Sequence, residues 1–307
     1  MNNAEKMNYR ELVRPTLSNK LTILFCTFVV MLIITGFISS VIQSSGLSAR
    51  NAFLSGSIVQ SLLAFIVPSW LVSFLCASDS GRYLGISEGT ALRQYVGAVI
   101  IMFLFTPALN AVIEWNAGIS LPDAFKGLEA GLRKMEDAAA ETTAVILGVT
   151  SWWGLVSGIL VVGCLTGFSE EMLFRGGLQK ALSSSGINIH IAVWASAFIF
   201  SAIHFQFFGF IPRMLLGACF GYAYAYCRSI WIPAFMHALN NSVVVVTAWL
   251  SGRSLINVDI ESIGTYSTGQ IWFAIMSALT CGFFIYFFGS YLMKSPGDKQ
   301  NHYGDIQ

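Results

Sequence analysis

Two adjacent carboxylates and an arginine, Glu170, Glu171 and Arg175, follow directly on the apolar run 152–168. A charge placed inside a membrane-length segment costs ~2.5–3.5 kcal/mol on insertion scales, so such groups must be paired, wetted or used. On a helix, Glu171 and Arg175 are i,i+4 and share a face, which predicts an ion pair. Glu170 points about 100° away at 3.6 residues per turn, so Arg175 does not obviously neutralise it. The spacing gives Glu171 and Arg175 a supporting part and leaves Glu170 free for chemistry.

Two histidines also lie inside apolar runs. Phe200 and His204 stand i,i+4, and His237 and Asn241 repeat the spacing, with Asn240 on a different face. His190 opens a segment and His302 falls in the C-terminal tail, so both are expected at an interface or in solvent. A carboxylate and an imidazole sharing a water can remove its proton and create a nucleophile. A second imidazole and an amide can donate to the oxyanion of a tetrahedral intermediate. That division suits amide hydrolysis, with Glu170 and His204 activating water and His237 and Asn241 holding the oxyanion. The same Glu170, His204 and His237 could instead hold Zn²⁺ with one position open for water. The HExxH spacing is absent, however, and Glu170 would have to be both ligand and base or pass one role to Glu171. Direct water activation is favoured, with zinc left open as a cofactor.

The elements that must position these groups are membrane-length. Of the 307 residues, 55% are hydrophobic and only 11% charged, against about 25% charged in a soluble domain. The fold class is therefore all-α, a polytopic transmembrane helix bundle. Apolar segments at 21–41, 53–77, 95–116, 145–182, 190–206, 212–228, 231–250 and 269–293 predict about eight spanning helices with the polar site inside the bundle. The fourth is too long for one simple span and must tilt, kink or lie partly in the interface. A polar insert at 116–143 predicts a surface helix. Residues 1–143 thus hold three helices plus the insert, 144–293 the catalytic core, and 294–307 a polar tail.

The net charge of +1 carries no basic block, so no nucleic-acid partner is expected. The six cysteines lack CxxC spacing and read as small apolar residues, not as a disulfide or zinc framework. Lysines and arginines such as Lys6, Arg10, Arg14 and Lys20 precede the first span, which reads as an uncleaved helix. Their overall placement favours both termini in the cytoplasm. Gly154/Gly158 and Gly217/Gly221 have the GxxxG spacing that permits close helix approach.

The ordered triple Glu170-Glu171-xxx-Arg175, Phe200-xxx-His204 and His237-xxx-Asn241 resembles the CPBP family of intramembrane proteases. That family comprises type II CAAX prenyl endopeptidases, relatives of lysostaphin-resistance protein A and bacteriocin self-immunity proteins. The resemblance covers about residues 152–250. It implies Glu170 as catalytic glutamate with His204 as its partner, His237 and Asn241 at the oxyanion, and Glu171 and Arg175 holding the site together. It also implies a membrane-anchored peptide or protein as substrate, with the bilayer itself as a partner. Prenylation of that substrate is not implied. The expected protein is a multi-pass enzyme of a bacterial cell membrane. The rivals are an ion-coupled carrier, since intramembrane Glu, His and Arg also line ion paths, and a non-catalytic immunity or binding protein on the same scaffold.

Overall fold

The computed structural model describes residues 14–256 and 260–294, and of residues 261, 288 and 290 the backbone alone. Among the described residues every regular element is a helix. The first five long helices are α1 (Leu17–Gln43), α2 (Ala49–Cys76), α3 (Leu92–Ala117), α4 (Lys126–Leu147) and α5 (Trp152–Ser183). They are followed by α6 (Ile189–Ala202), α7 (Phe210–Cys227) and α8 (Trp231–Gly252). The last, α9, runs through Ile271–Phe284, a π-helical Ile285–Gly289 and Ser290–Met293. By length and composition α1, α2, α3 and α5 can each cross a membrane, while α6 and the apolar part of α9 are shorter. Each of the eight expected apolar segments is helical over most of its length, and the expected surface helix is α4, with no buried residue.

Helix starts follow from capping. Thr16, Ser48, Ser151 and Asn188 each accept a backbone N–H of the first turn they precede, pairing a donor that the helix itself leaves free. The fourth span begins at Trp152 rather than at 145. Residues 145–147 belong to α4, and the chain breaks at Gly148 before Ser151 restarts it. From there α5 is continuous for 32 residues, about 48 Å of rise, with π-helical turns at Ile159–Leu165 and Met172–Gln179. Pro233 sits in the first turn of α8, where a missing N–H costs no helical bond.

The segment expected at 190–206 ends as helix at Ala202, and His204 lies in the turn beyond it. Two anchors pull the chain out of the helix there. Ser201 Oγ donates to the Phe210 carbonyl, and Asn116 at the end of α3 bonds both Phe207 C=O and Ile211 N–H. Phe205 takes a φ of 54°, in the left-handed region, to complete the reversal.

Packing around α5 sets the site. On one side, the backbone of α5 lies against α8: Gly158 faces Val245, Gly163 faces Ser242 and Gly167 meets the backbone of His237 and Ala238. Nearest to a Cβ at Gly154 of the expected GxxxG pair are Val149 and Ser151, a few residues before it. Gly217 and Gly221 do serve close approach, against Ala197 and Val193 of α6. On its other side α5 joins a core of Leu24, Phe65, Val72, Leu84, Phe174 and Phe200.

Contacts sort the helix ends into two faces of the bundle. Lys20 at the start of α1 bonds Ser184 and Ser185 just beyond α5, and Gln94 and Arg93 at the start of α3 bond the carbonyls of Met293 and Lys294. At the opposite face Arg50 bonds the carbonyls of Ile146 and Gly154, and Trp249 bonds those of Thr150 and Ser151. The described chain therefore begins and ends at the same face.

Candidate active site

Glu171 and Arg175 are fully buried and form the expected ion pair, Nη1 to Oε1 at 2.9 Å. The same Oε1 accepts from His237 Nδ1 at 2.8 Å. Arg175 Nη2 donates to the Gly217 carbonyl at 2.7 Å, and one turn later Gln179 Nε2 donates to the Gly221 carbonyl at 2.9 Å. The two glycines thus open the α7 backbone to both polar side chains of α5. Aromatic rings complete the enclosure. The Arg175 guanidinium lies 5.0 Å from the Phe200 ring centroid and 5.6 Å from that of Phe220. His237 stacks on Phe220 at 5.1 Å and meets Phe200 nearly edge-on at 5.8 Å.

Glu170 leaves the helix on the neighbouring face. Its Oε2 lies 3.7 Å from His237 Nε2, so one imidazole stands between two carboxylates. The Glu170 side chain keeps 10% of its surface exposed and His237 keeps 7%, where Glu171 and Arg175 keep none. His204 hangs from the end of α6 with Nδ1 2.8 Å from the Phe200 carbonyl and its ring 5.2 Å from the Phe200 ring. The charged or titratable groups acting on it are Glu170, Arg213 and His237. Counted along the helices, Glu170 lies about 20 Å from the end of α5 and His204 about 22 Å from the start of α6, so the two sit at matching depth.

Partner chemistry assigns the tautomers. A backbone carbonyl and an ionised carboxylate only accept, so His204 and His237 each carry a proton on Nδ1. Each ring therefore offers Nε2 to the site. Asn241, one turn beyond His237, donates Nδ2 to the Val162 carbonyl at 3.1 Å, and its Oδ1 accepts from Asn240 at 3.4 Å. The carbonyl it reaches lies in the first π-helical turn of α5. Such a turn breaks the regular i→i−4 bonding, and neighbouring Thr166 likewise bonds the Val161 carbonyl five residues back.

The structure thus gathers Glu170, Glu171, Arg175, Phe200, His204 and His237 around one point, with Asn241 a turn away along α8. Gln179, Phe220, Gly167 and Arg213 were not singled out by sequence. Gln179 carried a signal, being a polar residue i+4 from Arg175 within an apolar run. Phe220 carried none. Tethering Nδ1 so that Nε2 faces outward is how metal-ligating imidazoles are commonly fixed. Yet among the described residues no three His, Cys, Asp or Glu side chains come together as a metal-holding group. As placed, Glu170, His204 and His237 do not form such a group.

Residues 152–243, from the first residue of α5 to just past Asn241, match the family described as type II CAAX prenyl endopeptidase Rce1-like. The chain is also 30% identical over 89 residues to the uncharacterized protein YpbD of Bacillus subtilis, covering 28% of this chain and 42% of that protein. It is 30% identical over 108 residues to the putative membrane peptidase YdiL of the same organism, covering 35% of this chain and 43% of that one. The chain spans about two fifths of the length of these curated relatives. No solved structure matches it. The resemblance carried by the three motifs and the match of residues 152–243 point to one family.

Proposed function

From that family match, we propose that the chain is an intramembrane endopeptidase that hydrolyses peptide bonds of membrane-associated substrates. The observation that carries this reading is the setting of His237, with Nδ1 on Glu171 and Nε2 facing Glu170, beside a second imidazole that presents its own Nε2. Glu170 and the Nε2 lone pair of His204 take the proton of a water placed between them, and the hydroxide attacks the scissile carbonyl. His237, once protonated on Nε2, is a cation between two carboxylates and can donate to the oxyanion. Asn241 supplies a second amide hydrogen, since one of its two satisfies Val162. Glu171 and Arg175 hold the His237 ring in register and touch no reacting atom. Return of the proton from the Glu170–His204 pair to the departing amine completes the cycle.

The positive-inside rule puts the shared face of the described termini in the cytoplasm of a bacterial cell. The purified protein would be compared with Glu170→Ala, His204→Ala and Glu171→Ala variants on membrane-anchored peptides. Cleavage should vanish in the first two with the fold retained. Uptake in proteoliposomes without cleavage by any variant would instead identify a carrier. Activity abolished by chelation and restored by zinc would overturn metal-free water activation.

A further inference from the structure

Arg213 lies in the first turn of α7, beneath the 203–209 turn that carries His204. Its Nη2 donates to the neutral amide of Gln206 at 2.6 Å, while its Nη1 is buried and has no hydrogen-bond partner. An unpaired donor on a buried cation is costly, because desolvation of the charge is not repaid. The carboxylates acting on Arg213 are Glu136 of surface helix α4 and Glu170 of the site. Each also faces another group. Glu136 Oε2 accepts the Phe208 N–H at 3.3 Å, and Glu170 faces His237. Arg133, one turn earlier on α4, caps the same turn with its guanidinium 4.0 Å from the Phe208 ring centroid. A positive charge thus stands in the wall of the site with one donor unused.

We infer that Arg213 binds a carboxylate of the substrate, which enters as the Glu136–Phe208 contact opens. This rests on the peptidase reading and narrows it to substrates bearing an anionic group near the scissile bond. Guanidinium suits that task, since its planar fork matches a carboxylate in a way that an ammonium does not. The carboxylate could be a free chain terminus or an acidic side chain.

The experiment uses the full chain in lipid nanodiscs and three membrane-anchored peptides: a free C-terminal acid, its amide, and an amide with glutamate as the last residue. The parent should favour one carboxylate peptide over the plain amide, on the order of 10- to 100-fold in kcat/KM and chiefly through KM. The favoured peptide identifies the source. In Arg213→Met that preference should collapse towards one, and Arg213→Lys should recover part of it. Glu136→Gln, which leaves Arg213 in place, should lower KM for the favoured peptide by removing a competing acid. Equal cleavage of all three by the parent overturns the inference and spares the peptidase reading. So does an Arg213→Met variant that loses kcat equally on every peptide, which would place Arg213 at the oxyanion. A parent that cleaves none of them removes both.

Discussion

Glu170 and Glu171 leave the same turn of α5 and enter opposite kinds of surroundings. On the Glu171 side a guanidinium, an imidazole, the backbone of α7 and two aromatic rings close in and leave no exposed surface, although Glu171 Oε2 and Arg175 Nε have no hydrogen-bond partner. On the Glu170 side an imidazole nitrogen stands at 3.7 Å, beyond hydrogen-bond reach, and part of the side chain stays exposed. A sealed cluster fixes positions, whereas a partly open one has room left for a substrate or a water. Identical residue types one position apart thereby stand one sealed in an ion pair and one partly open. His237 joins the halves, since its Nδ1 belongs to one and its Nε2 to the other.

The strongest way to break the comparison is to neutralise each carboxylate in turn. Glu170→Gln should lower turnover by about 10²–10⁴-fold, the usual worth of a general base, while leaving thermal stability near that of the parent. Equal losses of stability in Glu170→Gln and Glu171→Gln would show that the two sides do not differ. Removing one member of the buried pair should act the other way. Arg175→Met strands the Glu171 charge and should cost about 3–5 kcal/mol in unfolding. The Glu171→Leu/Arg175→Met double variant removes both charges and should recover much of that stability, yet remain inactive because His237 Nδ1 loses its acceptor. Calorimetry and turnover on the same preparations would test both.

The pairing of Glu171, and not Glu170, with Arg175 was legible in the sequence, because the i,i+4 spacing is a one-dimensional fact that a helix turns into contact. The matching depth of Glu170 and His204 rests on α5 running unbroken through Ser183. What could not be read was tertiary. That His237 would reach Glu171 with one nitrogen and Glu170 with the other depends on how α8 crosses α5. That Arg175 and Gln179 would be received by the Gly217 and Gly221 carbonyls requires knowing that α7 packs there. The end of α6 at Ala202 was missed because apolar composition continues past it. Asn116, about ninety residues earlier, is what stops the helix.

That crossing can itself be stressed. A Cβ at Gly167 would lie 3.0 Å from the Ala238 backbone nitrogen, which cannot swing aside. A Cβ at Gly163 would meet the Ser242 hydroxyl, which can. Gly167→Val should therefore cost about 1–3 kcal/mol and displace His237, and Gly163→Ala distinctly less. Stability loss should be accompanied by lost turnover in the first variant. Indifference to Gly167→Val would mean that the approach of α8 does not set the site.

The mildest test uses a carboxylate outside the spans as a reference for the two inside. Glu129, on surface helix α4, is held below the ordinary carboxylate range, first by the Leu121 N–H on Oε2 and then by Arg133 on Oε1. A lowered folded-state value means that its stabilising contribution is present above the unfolded-state value and fades as pH falls through the folded one. At neutral pH the tie between the 118–122 turn and α4 is therefore complete, and it loosens only in acid, below about pH 4. Amide exchange at Leu121, corrected for the intrinsic pH dependence, should show constant protection from pH 5 to 8 and a loss of a few-fold below that window. Glu129→Gln should remove the dependence, because its side-chain oxygen still accepts from Leu121 but no longer titrates. Protection already fading near pH 6 in the parent would mean that Glu129 is not the group responsible. The comparison would then lack its solvent-side reference, because no ordinary surface acid would be shown to respond to plain hydrogen bonding alone.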